Sequence, residues 1–159
     1  MRILIVTDGS KFSEAAIEVC PNIIAEPARA AIKVISTFEF PTVEPFDPMT
    51  EGSVEFYDQF EEAEHAQATE YAEQAATHIR SLFPNIKLDL TTQVIQDAPQ
   101  RAIIETAESW KADLIVVGSH GYGFWERALL GSVSSSIVHH APCSVLVVRA
   151  GLAGSTKDS

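Results

Sequence analysis

A spaced set of glycines and one early aspartate carry the chemistry this sequence can offer. The spacing Gly118-x2-Gly121-x9-Gly131-Ser132 runs through DLIVVGSHGYGFWERALLGSVSSSIVHH. Glycine lets the backbone approach a ligand closely, and the start of a helix presents N–H groups carrying partial positive charge. Gly131, Ser132, Val133 and Ser134 together therefore suit an anion, for which a phosphate is the natural guest. The same glycines could serve turn geometry alone. Both the Walker lysine and the GxGxxG pattern are absent, so the loop is neither a P-loop nor a dinucleotide fingerprint. Asp8 ends the first apolar run, where the carboxyl ends of parallel strands line a ligand crevice; an aspartate after a strand also commonly caps the next turn.

Asp8 and the glycine loop are far apart in the chain, so a fold has to bring them together. Arg2 to Thr7 and Leu114 to Gly118 are apolar runs of the kind buried on both faces of a parallel sheet. Ser13-Glu14 starts a helix carrying Ala16, Ile17, Cys20, Ile23 and Ile24, with Ser13 or Ser10 as its cap, and Pro21 is expected to kink or shorten it. Ala31 to Thr37 reads as the second strand. Phe38 and Phe40 follow, then an irregular proline- and acid-rich excursion from Pro41 to Gly52. Val54 to Phe83 is amphipathic at helical spacing, with Ala63, Ala68, Tyr71, Ala75 and Ile79 on its apolar side. Its His65 and His78 read as ordinary surface residues.

Ile86 to Ile95 alternates in its first half, as expected of an edge strand. Asp97-Ala98-Pro99 opens the next helix, with Asp97 as cap and Gln100 completing a loose capping box. After the glycine loop a short helix ends at Pro142, and Cys143 to Val148 is the last apolar strand. Strands and helices alternating in this way predict an α/β fold, a single-domain, five-stranded, doubly wound parallel sheet with right-handed crossovers. It spans residues 1–150, with 151–159 as a flexible tail.

Loop spacing, flanking strands and helix agree together. Gly118-x2-Gly121-x9-Gly131-Ser132, preceded by DLIVVGSHG and followed by HHAPCSVLVVR, resembles the carboxy-terminal signature of the universal stress protein family in its ATP-binding branch. RILIVTDGSKFSEAAIEVC resembles the family's opening strand, acidic residue and first helix. The resemblance implies a Rossmann-like sheet of order 3-2-1-4-5, which sets the first and fourth strands side by side and Asp8 opposite the Gly118 loop.

The resemblance also implies roles for individual residues. Asp8 hydrogen-bonds the adenine, backbone around Val6 and Thr7 borders the ribose, and the Thr37 backbone reads the adenine edge. Gly118 and Gly121 lie near the ribose and α-phosphate, and Gly131, Ser132, Val133 and Ser134 at the phosphates of ATP, with Mg²⁺ bridging phosphate oxygens. His120 and Arg127 could add charge; His120 could equally be a solvated side chain, and Arg127 a partner of Glu126 or of the acidic helix. Similar family members dimerise through the last strand. Cys143 to Val148, an apolar edge without a proline or charge to blunt it, is therefore expected to form a homodimer.

Composition narrows the partners. The formal charge is -11, and no lysine or arginine occurs between Lys33 and Arg80, an interval rich in acids. Such a chain repels phosphate backbones and anionic lipid, so neither nucleic acid nor a membrane is an expected partner, whereas a single nucleotide can still bind through local N–H groups. Two cysteines give no disulfide framework. With no signal peptide and no run of membrane-spanning length, the chain is expected to be cytoplasmic, with inert core thiols.

Hydrolysis of ATP needs a positioned water, a general base and charge stabilisation at the γ-phosphate. No base follows the loop, and no histidine and carboxylate are placed to activate Ser134, Ser135 or Ser136. No catalytic residue and no protein metal ligand are assigned. The expected function is a nucleotide-dependent regulatory module in stress response. The alternatives are a family member that binds no nucleotide and acts through its dimer surface, and a slow ATPase or adenylating enzyme.

Overall fold

The computed structural model describes residues 1–39, 53–120 and 130–150, with backbone alone for 53–57. Phe40 and the excursion after it, Gly121, Arg127 and the tail lie outside the described residues. Five strands, β1 (Arg2–Val6), β2 (Ala31–Phe38), β3 (Asp89–Gln96), β4 (Leu114–Gly118) and β5 (Ser144–Val148), form one sheet in the order β3-β2-β1-β4-β5. Every pairing is parallel, with Ile3 opposite both Ile32 and Leu114. The expected order 3-2-1-4-5 is thus the observed one.

Side chains alternate across the sheet and divide the core into two layers. Ile3, Ile5, Ile32, Val34 and Val116 lie under α1 (Lys11–Glu18) and α3 (Ser53–Leu82), which contribute Ala15, Ala16, Ile17, Ala75 and Ile79. Leu4, Ile35, Ile115 and Val117 lie under α4 (Pro99–Trp110) and α5 (Ser132–His140), which contribute Ile103, Ala107 and Ile137. Each fully buried isoleucine is worth roughly 1.5–3 kcal/mol. On α3 the buried residues are mostly small (Ala68, Ala72, Ala75 and Ala76), so this helix lies close on the sheet; Ala63 is exposed.

Several local expectations are sharpened or corrected. Ser10 is the cap of α1, its Oγ accepting from Ser13 N–H at 3.3 Å. Pro21 ends the run as predicted: α1 stops at Glu18, and a four-residue α2 (Cys20–Ile23) restarts with Pro21 in its first turn, where no N–H is required. Asp97 does not cap α4. Ala98 holds the cap position without a side-chain bond, while Asp97 accepts from Ala98 N–H at 2.6 Å and forks onto Arg101 one turn later. The charge-assisted pair outcompetes the capping box, and Arg101 holds the Asp97 carboxyl below the usual carboxylate range.

β3 begins at Asp89, because its partner β2 begins at Ala31, opposite it; Ile86 is exposed. His78 bonds Glu18 at 2.7 Å and so ties α3 to α1, whereas His65 is exposed and meets the Phe38 ring edge-on. Burial pushes the Cys20 thiol up to about 12, as befits an inert core thiol.

Ser36 is buried, and its Oγ has no partner among the described residues. An unsatisfied buried hydroxyl costs about 1–3 kcal/mol. Ser36→Ala is therefore expected to leave stability in urea unchanged or raise it by about 1 kcal/mol. A loss larger than that would reveal a hydroxyl partner.

Candidate functional site

β1 and β4 are neighbours, yet the chain leaves them toward opposite faces: β1 runs into α1 and β4 into the loop before α5. A crevice opens between such diverging connections at the carboxyl ends of the strands. Here it is a pocket of about 330 Å³, lined by Val6, Thr7, Asp8, Ser13, Thr37, Pro99, Val117, Gly118, His120, Gly131, Ser132, Val133 and Ser134. Every described residue predicted for the site lines it. Gly121 falls outside the described residues. Sequence reasoning missed Ser13, Pro99 and Val117.

One end of the pocket is the start of α5. The first bond of that helix runs from Ser135 N–H to the Gly131 carbonyl at 2.9 Å, so the N–H groups of Ser132, Val133 and Ser134 are not spent within it. Ser119, buried at the end of β4, fixes this helix start in place. Its carbonyl accepts from Gly131 N–H at 2.8 Å and from Ser134 Oγ at 2.9 Å, and its own N–H donates to Val148. The Ser134 hydroxyl is thus committed to the loop, and its N–H is the group it offers the pocket. Gly131 needs to be small: a Cβ there would lie 3.3 Å from both His120 Cα and the Ser119 carbonyl. His120 shares a 3.0 Å hydrogen bond with Ser119 Oγ and packs on the Phe12 ring at 5.2 Å.

The other end is built from β1 and β2. The Ile35 carbonyl accepts from Thr7 on the β1 side, whereas the Phe38 carbonyl accepts from Asp97 on the β3 side. By the alternation of a parallel ladder, the Thr37 N–H and C=O turn toward β1, which has already ended at Val6. They face the pocket with the donor–acceptor pair of one peptide edge. Phe38 points to the opposite face of the sheet and is buried there, so it does not cover this end.

Asp8 combines two roles that its sequence position left open. It lines the pocket, and its Oδ1 accepts from Ser10 N–H at 3.1 Å and Ser10 Oγ at 2.6 Å, forming an Asx turn before α1. Thr7, Ser10 and Ser13, all buried, extend this into a short hydroxyl network, with Thr7 Oγ1 3.3 Å from Ser13 Oγ. The site therefore offers neutral donors at one end, a carboxylate and a peptide edge at the other, and valine and proline walls between. Among the described residues no group of three or more His, Cys, Asp or Glu side chains is placed to hold a metal ion. No described helix is long and apolar enough to cross a membrane.

Known proteins share the fold that carries this pocket. The model of the universal stress protein family matches residues 1–149. A universal stress protein of Methanocaldococcus jannaschii is 33% identical over 149 residues, covering 93% of this chain and 81% of its own length. Among solved structures, the universal stress protein UspA of Lactobacillus plantarum superposes with a TM-score of 0.75 at 25% identity, over 94% of this chain and 97% of that one. A universal stress protein in complex with cAMP has a TM-score of 0.61 at 24% identity, over 94% and 97%. An Arabidopsis thaliana family protein with AMP bound has a TM-score of 0.67 at 16% identity, over 99% and 97%. The chain belongs to the universal stress protein family.

Proposed function

We propose that this chain is an adenine-nucleotide-binding regulatory module, taking ATP with Mg²⁺ and acting as a cytoplasmic homodimer of one domain over residues 1–150. The observation that carries the reading is the pairing of the pocket's two ends: unspent N–H groups at the start of α5, and a peptide edge beside a carboxylate at Thr37 and Asp8. Phosphate suits the first, because a helix start favours negative charge without any lysine. Adenine suits the second, because it presents an acceptor and an amine donor along one edge. The family structures with AMP and cAMP bound support the same ligand class.

With no acid or histidine cluster among the described residues to ligate it, Mg²⁺ would be held through the phosphates of the nucleotide. Val145, Leu146 and Val147 of β5, at the sheet edge and only half-buried, support a second copy there. No residue of the pocket is assigned a role in hydrolysis.

Calorimetric titration of nucleotide-free protein with ATP and Mg²⁺, beside Asp8→Ala, tests this. The parent should bind saturably, and the variant about tenfold more weakly, as expected for loss of a hydrogen bond to a charged group. A parent that gives no binding heat and no thermal shift with ATP, AMP or cAMP would overturn the reading and leave the dimer surface as the functional part.

A further inference from the structure

We propose that Tyr71, on α3 and outside the nucleotide pocket, is a positioning residue that holds the Asp8 carboxylate at the base end and thereby sets selectivity for adenine over guanine; this rests on the nucleotide-binding reading. Gly9 adopts a φ of +71°, and a Cβ built on it would lie 2.4 Å from both Cδ1 and Cε1 of Tyr71. The aromatic ring therefore lies directly against the backbone of the residue that follows Asp8. The ring is tethered in turn, because Tyr71 Oη accepts from Gln67 Nε2 at 2.8 Å one helical turn earlier.

The turn from Thr7 to Ser10 is a thin wall. Thr7 and Asp8 line the nucleotide pocket on one side; Thr7 and Gly9, together with Tyr71, line a smaller cavity of about 60 Å³ between α1 and α3 on the other. Hydrogen bonds tie this wall to β2 and to the start of α1, but on the cavity side it lacks part of its dispersion contacts. The Asx bonds from Ser10 fix Asp8 relative to its own turn, and the cap bonds of Ser10 tie that turn to α1. The Tyr71 ring braces the turn against a separate element.

Position matters here because of what the carboxylate meets. Adenine carries an exocyclic amine that donates to a carboxylate, whereas guanine carries a carbonyl oxygen at the same place, which a carboxylate repels. If Asp8 retreats, the gain for adenine and the penalty for guanine both fade. The phosphate end, built on Ser119 and α5, is untouched.

The test compares the full-length parent, Tyr71→Ala and Tyr71→Phe. Each is titrated with ATP and with GTP, and backbone amide exchange is followed at Ser10 with β4 amides as the internal reference. Tyr71→Ala should bind ATP about tenfold more weakly while GTP binding holds or strengthens, so their ratio falls. Ser10 exchange should accelerate by about tenfold relative to β4, since local opening is read separately from global unfolding. Tyr71→Phe keeps the ring against Gly9 and loses only the bond from Gln67, so it should stay within about twofold of the parent in both. Equal loss of both nucleotides in Tyr71→Ala, or Ser10 exchange that follows β4, would mean that the ring only fills space and would overturn the proposal. If the parent binds neither nucleotide, the nucleotide reading fails, and the exchange comparison alone decides whether Tyr71 holds the turn.

Discussion

Gly131→Val is expected to weaken ATP binding by at least about 100-fold while lowering stability by only about 1–2 kcal/mol. The two effects separate because of where Gly131 sits. Its φ is -68°, open to any residue, so the substitution brings no backbone strain. What it brings is volume at a hub. A Cβ would lie 3.3 Å from the Ser119 carbonyl and from His120 Cα, and 3.6 Å from Ser134 Oγ; the two further methyl groups of valine have to go into the pocket or against these neighbours. The Ser119 carbonyl holds both Gly131 N–H and Ser134 Oγ, so a shift of a few tenths of an ångström re-aims the N–H groups of Ser132, Val133 and Ser134 together.

A geometric site of this kind is sensitive to small displacements, whereas Ile115, Ile137 and Val117 are buried in the core layer beneath it. Calorimetry with ATP and a thermal melt on the same sample read the two quantities. A folded Gly131→Val protein binding ATP within about threefold of the parent would show that the α5 N–H groups do not hold the phosphates.

The parts of this site legible in the sequence are those whose signal is local. Apolar runs marked β1, β2, β4 and β5, and glycine spacing with the start of α5 marked the anion end. Resemblance to the family then placed Asp8 opposite it. The residues that escaped notice depend on contacts between distant stretches. Ser119 is a serine beside a glycine in the sequence, and only the register of β4 with β5 makes its carbonyl the anchor of Gly131 and Ser134. Pro99 reads as a helix-starting proline, and nothing local says that α4 begins over the pocket. Asp97 reads as a cap because nothing local shows that Arg101, one turn away, takes the same carboxylate. Ile86 reads as the start of β3 because alternation reports a strand's pattern, whereas the strand's length is set by a partner that begins at Ala31, opposite Asp89. Tyr71 fits an ordinary apolar helix position until Gly9 is seen beneath it.

Gly118 is the other glycine whose reason is invisible from the sequence, and its substitution should have the largest effect on stability. Gly118→Ala adds one methyl group, yet it is expected to cost about 3 kcal/mol, at the upper end of ordinary overpacking, and to lower the melting temperature by roughly 6–12 °C for a domain of this size. The added Cβ would lie 2.6 Å from the Phe12 carbonyl carbon, 2.7 Å from its oxygen and 2.9 Å from its Cβ. Two of these are backbone atoms in the first turn of α1, so no rotamer change relieves the contact and the helix itself has to move.

That helix cannot move alone. Its cap, Ser10, is bonded to Asp8, its Ala16 and Ile17 are buried in the core, and its Glu18 is tied to His78 on α3. Displacing α1 therefore opens the core layer shared with α3 and drags the Asp8 turn with it, so ATP affinity should fall together with stability. This coupled loss distinguishes Gly118 from Gly131, where affinity falls far more than stability. Urea unfolding of Gly118→Ala beside Gly131→Val measures the contrast. A cost below about 1 kcal/mol at Gly118 would mean that α1 crosses β4 at a greater distance than these contacts describe.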